Sequence, residues 1–150
     1  MSLLKKISQL RSLQGLVSKE AVEVTRLLLT SQQQRNKAAA KLQEFQSTYD
    51  LGIQSHNKLL TGNNSINPQL LSNTQAYLDK LQRDMDDIRN VICSAGADII
   101  KYENILLKLL AKKRGYQKVT DSYIQDLRVT NEKRAYKDSA RESSNKVALL

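Results

Sequence analysis

The residues able to do chemistry are few and scattered along this chain. It has one histidine, His56, and one cysteine, Cys93, and neither has a carboxylate cluster at metal-ligand spacing. The run Asp84-Met85-Asp86-Asp87 resembles part of a cation loop but lacks the glycine and the terminal glutamate of such a loop. We therefore expect a surface histidine, a reduced thiol without a role, and a solvated acidic helix face.

Motifs of enzyme active sites are missing from the sequence as well. No P-loop, G-x-S-x-G elbow or glycine-rich phosphate cradle occurs. One Phe, no Trp and one Pro among 150 residues leave little material for a broad core around a concave pocket. The sequence predicts a protein that is not an enzyme and that holds no cofactor and no metal.

The remaining chemistry is electrostatic. The net charge is +9, yet residues 36–111 hold eight basic and eight acidic residues. Residues 1–35 hold six basic against two acidic residues, and residues 112–150 hold ten against five. Charge gathered in this way favours an acidic protein surface, a nucleic acid or anionic lipid as the partner. No signature of a module that reads RNA or DNA is present.

Two apolar ladders define the elements that carry these charges. Their alternating steps of three and four residues are a 3.5-residue repeat, which is typical of helices packed in a left-handed coiled coil. The first ladder runs Leu3, Ile7, Leu10, Gln14, Val17, Ala21, Val24, Leu28, Ser31, Arg35, Ala38, Leu42, Phe45, Tyr49. The second runs Leu71, Thr74, Leu78, Leu81, Met85, Ile88, Ile92, Ala95, Ile99, Tyr102, Leu106, Leu109, Lys113, Tyr116, Thr120, Tyr123, Leu127.

These ladders predict an all-α, antiparallel two-helix coiled-coil hairpin that forms a single domain. We expect a helix over residues 3–56, a loop over 57–67, a longer helix over 68–140 and a frayed tail over 141–150. Ser2 can cap the first helix, and Asn67-Pro68 is a good start for the second. The turn formers Thr61-Gly62-Asn63-Asn64-Ser65 fall between the two helices.

Matching small to large residues along the seam predicts the register. The expected pairs are Ala38 with Met85, Ser31 with Ile92, Leu28 with Ala95, and Ala21 with Tyr102. Leu3 then lies opposite Thr120, so that the second helix extends past the first by roughly 20 residues. This extension still carries Tyr123, Ile124, Leu127 and Val129. An apolar stripe on an unpaired helix predicts a binding surface.

Several stretches of this basic helical chain resemble FliJ, a protein family of the flagellar export apparatus. The most specific stretch follows the loop and has the pattern Asn-x-Gln-x-aromatic-Leu-x-x-Leu. The resembling stretches are Leu10-Arg11-Ser12-Leu13, Lys19-Glu20-Ala21, Leu42-Gln43-Glu44-Phe45 with Tyr49, Asn73-Thr74-Gln75-Ala76-Tyr77-Leu78-Asp79-Lys80-Leu81, and Asn131-Glu132-Lys133-Arg134 with Asp138 and Ala140-Arg141.

The resemblance implies a central stalk of the type III export ATPase ring, working in flagellum biogenesis and motility. It implies three partners, which are the export ATPase FliI, the export gate protein FlhA and the export chaperones. The open end, with both termini, is expected to enter the ATPase ring through Lys5, Lys6, Arg11, Lys113, Arg114, Lys118, Tyr123 and Leu127. The family's gate contacts correspond to Tyr77, Leu81, Asp84 and Ile88.

The location that the resemblance implies is cytoplasmic, with peripheral association at the inner face of the cell membrane at the flagellar base. Two other functions remain open. A generic cytosolic coiled-coil adaptor or tether would share the ladders but gives no reason for charge to collect at one end. A basic nucleic-acid-binding rod explains the charge but predicts cations along the whole length, whereas residues 36–111 are neutral.

Overall fold

Two long helices account for nearly all of the described chain. The computed structural model describes residues 2–62 and 67–149, with side chains through residue 145. Helix α1 spans Leu3–Thr61 and helix α2 spans Pro68–Leu149, and no strand occurs within the described residues. The helices pack against each other, and α2 is the longer. The predicted all-α hairpin is therefore confirmed. The predicted turn residues 63–66 lie outside the described part.

Both helix starts are made by the predicted capping residues. The Lys5 backbone N–H donates to the Ser2 side-chain oxygen at 3.2 Å. The Asn67 side-chain oxygen accepts from the backbone N–H groups of Gln69 at 3.0 Å and Leu70 at 3.4 Å. These bonds satisfy backbone donors that have no partner inside the first helical turn. Pro68 stands at the first helical position, where it loses no hydrogen bond.

Both helices end later than predicted. Helix α1 continues from the expected residue 56 to Thr61, whose hydroxyl donates to the Asn57 carbonyl at 2.9 Å. Helix α2 continues from the expected residue 140 to Leu149. The polar stretch after Ser139 holds neither Gly nor Pro. Each further residue therefore adds a backbone hydrogen bond at little cost once the helix exists.

The packing contacts divide the two helices into two compact units. We call Met1–Val24 with Ile105–Leu150 the terminal unit, and Thr25–Asn104 the loop unit. The buried core of the loop unit is Ser31, Leu78, Leu81, Met85, Ile88, Ala95 and Ile99, and that of the terminal unit is Ile7, Val17, Leu109 and Thr120.

The predicted ladders form these cores. Among their members, only Arg35 and Lys113 are exposed, and every other position is buried or half-buried. Each exception carries a charge, which is costly to remove from water without a partner. The 3.5-residue repeat therefore identified the seam correctly.

Three contacts across the seam show a register different from the predicted one. A methyl group on Gly52 would lie 2.7 Å from the Leu78 Cδ2 atom. The Gln14 Nε2 atom donates to the Gln117 Oε1 atom at 2.9 Å, and the Lys6 Nζ atom lies 5.5 Å from the centre of the Tyr123 ring. The predicted register would have placed Gly52 opposite Leu71, one heptad away.

The predicted pairs are therefore wrong by one heptad. The observed register brings Ala21 level with Leu109 instead of Tyr102, and Ala38 level with Ile92 instead of Met85. A shift of one full heptad leaves apolar residues facing apolar residues along most of the seam, so only a few unusual positions decide between the two registers.

Gly52 and Arg35 are two such positions. Gly52 has no Cβ, and the Leu78 side chain approaches the space that a Cβ would fill. The observed register also brings Arg35 level with the small residue Ala95. The Arg35 side chain is exposed while Ala95 is buried, as expected for an arginine whose charged end reaches water. Matching residue sizes alone does not take into account that the end of a long charged side chain can leave the seam.

The unpaired part of α2 begins later than predicted. Tyr123, Ile124 and Leu127 are half-buried, and Leu3 at the start of α1 is half-buried as well. From Arg128 to Asn145 every described side chain is exposed. The expectation of an uncovered Tyr123–Leu127 stripe is therefore wrong, because the register shift brings these residues against α1. We call residues 128–149 the extension.

Candidate binding surfaces

The predicted ring-contact residues all lie in the terminal unit. Lys5, Arg11 and Arg114 are exposed. The remaining residues of the set divide by burial: Lys113 and Lys118 are exposed, while Lys6, Tyr123 and Leu127 are half-buried. The set therefore consists of accessible cations next to an apolar seam that is already partly covered.

The charge of the terminal unit is more concentrated than the sequence analysis proposed. Residues 1–19 and 105–120 contain nine cations and no acidic residue, whereas the rest of the chain contains fifteen of each sign. The whole net charge of +9 thus lies in this acid-free belt. Residues 128–150 hold six cations and three acidic residues, and the resulting +3 is balanced by residues 20–104 and 121–127, which hold nine cations and twelve acidic residues. The cations of the belt are Lys5, Lys6, Arg11, Lys19, Lys108, Lys112, Lys113, Arg114 and Lys118.

A side-chain hydrogen bond joins the two helices within the belt. Gln14 donates to Gln117 across the seam, and the Gln117 Nε2 atom donates in turn to the Asp121 carboxylate at 2.8 Å. Asp121 is the first acidic residue of α2 after the belt. Thr120 is 2 % exposed, and its hydroxyl donates to the Tyr116 carbonyl at 2.8 Å. The belt is therefore carried on a packed pair of helices.

The seam spacing continues into the extension with a different residue type. After Leu127, the same steps of three and four reach Thr130, Arg134, Lys137 and Arg141, which are all exposed. Two shallow depressions lie on this helix. The first is lined by Ile124, Leu127, Arg128, Asn131, Glu132 and Ala135, and the second by Val129, Glu132, Lys133, Tyr136 and Lys137.

The predicted gate-contact residues lie in the loop unit and differ in accessibility. Tyr77 is 51 % exposed and Asp84 is half-buried, so both can be reached from solvent. Leu81 and Ile88 are buried in the seam. A partner cannot contact Leu81 or Ile88 extensively without unpacking the helices. Tyr77 and Asp84 are the more accessible pair of the four.

Asp84 belongs to a surface pocket that the sequence analysis did not find. The lining residues come from both helices, with Lys41 and Phe45 from α1 facing Asp84, Asp87 and Ile88 from α2. The Lys41 Nζ atom lies 5.7 Å from the centre of the Phe45 ring. Correct pairing of α1 with α2 was needed to bring these residues together, and the predicted register was displaced by one heptad.

Of the reactive side chains singled out in the sequence, Cys93 and the acidic run have ordinary environments, whereas His56 does not. Cys93 is exposed, and the Asp86 carboxylate pairs with Arg89 at 2.9 Å. His56 is half-buried, and its Nδ1 atom is buried without a hydrogen-bond partner, so the expectation of a plain surface residue is wrong. The ladder spacing continues from Tyr49 through Gly52 to His56, which explains this burial. In the described residues, no group of His, Cys, Asp and Glu side chains could hold a metal ion.

Within the described chain, neither helix contains a segment long and apolar enough to cross a membrane. No protein-family model, curated protein or solved structure matches the chain. The resemblance to FliJ therefore stays a prediction from the residues quoted above.

Proposed function

We propose that this chain is a non-enzymatic coiled-coil component of the flagellar protein export apparatus. In this role it is the central stalk of the FliI ATPase ring and links that ring to the export gate protein FlhA and to export chaperones. The observation that carries the proposal is the extension, because α2 continues alone past Leu127 and all its described side chains are exposed. A single helix, about 10–12 Å across with its side chains, is narrower than two paired helices and suits a narrow ring opening better.

The acid-free belt also supports the proposal that the terminal unit is the part that enters the ring. Nine cations with no acidic residue among them would attract a ring lumen lined by acidic residues over long range and raise the rate of encounter. Screening by salt weakens such attraction, because the Debye length is about 8 Å at physiological ionic strength. Stimulation of the ATPase by this chain should therefore fall as salt rises.

The loop unit supplies the proposed contact with the gate. Tyr77 offers an exposed aromatic ring, and Asp84 lines the surface pocket with Lys41 and Phe45. Both residues stand beside the seam, so a partner can reach them while the hairpin stays packed. The two proposed contacts lie in different units, so mutations can separate them.

Deleting residues 128–150 tests the stalk proposal. The deletion leaves the seam intact because no described side chain beyond Leu127 is buried. We expect the shortened chain to keep its helicity and thermal stability but to lose stimulation of purified FliI ATPase activity. A matched control replaces Lys37, Lys58 and Lys80 in the loop unit by Gln and should stimulate normally. Full stimulation by the shortened chain would reject the stalk and favour a tether.

A further inference from the structure

One side of the terminal unit combines exposed apolar side chains with cations. On α1, steps of three and four residues connect Leu4, Arg11 and Val22. On α2, the same spacing connects Leu107, Leu110 and Arg114. Val22 is 72 % exposed and Leu107 is 65 % exposed, which is high for such residues in a folded chain. We call these six residues the basic-apolar face.

The two stripes lie on the same side of the terminal unit. In each helix the stripe residues come one position after the seam residues, as Leu4 comes after Leu3 and Leu110 after Leu109. Both stripes are therefore rotated away from their seams in the same direction. Two antiparallel helices are related by a twofold axis perpendicular to both, so equally displaced stripes come to one side. Lys19 and Lys118 are exposed at the outer margin of this face. Residues 1–19 and 105–120 contain no acidic residue, and the α2 stripe meets its first carboxylate beyond them, where the same spacing passes Gln117 and reaches Asp121.

This mixture of residues determines the kind of ligand. Cations alone would suit any polyanion, including the phosphate backbone of a nucleic acid. Nucleic-acid surfaces add aromatic rings for base stacking, but Tyr116 and Tyr123 are half-buried in the seam. Leucine and valine side chains gain free energy only by entering an apolar phase. Cations beside exposed aliphatic side chains are typical of helices that lie in the interface of an anionic bilayer.

We propose that the basic-apolar face binds the surface of a bilayer that contains anionic lipids. The cations contact lipid headgroups, and Leu107, Leu110 and Val22 enter the boundary between headgroups and acyl chains. The interaction is a property of this chain alone and does not depend on the ATPase. Arg11 and Arg114 are shared with the proposed ring contact, so one terminal unit cannot bind the ring and the bilayer through them at the same time.

Sedimentation of the full chain with vesicles tests the proposal. We expect binding to phosphatidylcholine vesicles that contain about one third phosphatidylglycerol, and no binding to pure phosphatidylcholine. Replacing Arg11, Arg114 and Lys118 by Gln should weaken the partition coefficient on the order of 100-fold, since each cation contributes roughly a factor of five. Replacing Lys37, Lys58 and Lys80 by Gln makes the same charge change in the loop unit and should have only a small effect. Equal losses in the two variants would overturn the proposal.

A second pair of variants tests the apolar contribution. Leu107→Ser should weaken vesicle binding roughly tenfold, because a buried leucine side chain is lost from the bilayer interface. Leu51→Ser is the matched control, since Leu51 is 64 % exposed against 65 % for Leu107 and lies in the loop unit. Circular dichroism verifies that both variants stay folded. Unchanged vesicle binding by Leu107→Ser would show a purely electrostatic surface and would reject the bilayer proposal.

Duplex DNA serves as the competing polyanion. At about 0.15 M salt we expect the full chain to stay on anionic vesicles when short duplex DNA is added in excess of accessible lipid. Release of the chain from the vesicles onto DNA would overturn the proposal and favour a nucleic-acid surface. The assays contain no ATPase, so their failure is distinct from a failure of the stalk proposal.

Discussion

Gly52 and Leu78 are packed so closely that a methyl group on Gly52 would lie 2.7 Å from the Leu78 Cδ2 atom. Leu78 is 3 % exposed, so the end of its side chain can move only against other buried seam residues. This contact helps to distinguish the observed register from one displaced by a heptad. It also makes Gly52 different from the other glycines inside the helices.

Gly52→Ala should destabilise the protein although alanine is the better helix former. Overpacking of a buried seam costs about 1–3 kcal/mol, whereas replacing a helical glycine by alanine gains only about 0.5–1 kcal/mol. We expect a net loss of about 1 kcal/mol in the free energy of unfolding, measured by urea denaturation. Gly115→Ala is the control and should stabilise, because a methyl group there meets nothing within 4 Å. Similar gains from both variants would contradict the observed packing.

His56→Leu should stabilise the loop unit. The His56 Nδ1 atom is buried without a partner, and an unsatisfied buried polar group costs about 1–3 kcal/mol. Leucine would fill the seam position without that cost, so we expect a gain of about 1 kcal/mol in thermal or urea unfolding. The exposed neighbour Asn57 offers a control, since Asn57→Leu should change stability by less than about 0.5 kcal/mol. A destabilised His56→Leu variant would show that the imidazole is needed.

Leu81→Ala should lower the stability of the protein, whereas Tyr77→Ala should weaken its binding to the gate. Leu81 is 7 % exposed, and its truncation should cost about 2–5 kcal/mol of stability. Tyr77 is half exposed, so Tyr77→Ala should change stability by less than about 0.5 kcal/mol while weakening binding to FlhA and impairing motility. Normal gate binding and swimming in the Tyr77→Ala strain would remove this residue from the proposed contact.

Two truncations should separate the extension from the seam. Removal of residues 128–150 takes away only exposed side chains among those described and should leave the melting temperature unchanged. Removal of residues 121–150 also takes away the half-buried Tyr123 and Leu127, with a loss of roughly 1–3 kcal/mol. Differential scanning calorimetry measures both. Equal stability of the two truncated chains would place the end of the seam before Tyr123.

Most of the fold was predictable because it depends on local rules. A 3.5-residue repeat identifies a coiled-coil seam, and caps such as Ser2 and Asn67 act within one turn of their own helix. The register is not local. Its choice depended on Gly52 near Leu78 and on how Arg35 reaches solvent, and neither is visible in the periodicity of one helix. His56 was missed because the first ladder was ended at Tyr49.

The candidate surfaces could be predicted from the sequence only in part. The basic character of the terminal unit follows from counting charges along the chain. The pocket of Lys41, Phe45 and Asp84 does not, because its residues come from two helices and meet only in the observed register. The exposure of Leu107 and Val22 likewise required knowing which side of each helix the seam covers.

The exchange of apolar for charged residues after Leu127 has a consequence for self-association. Had the ladder stayed apolar through Arg134, Lys137 and Arg141, the extension of one molecule could pair with that of another, and molecules could join in series. Guanidinium and ammonium groups at these positions repel their counterparts on an identical helix. The charged positions of the extension thus oppose the growth of fibres from copies of this chain.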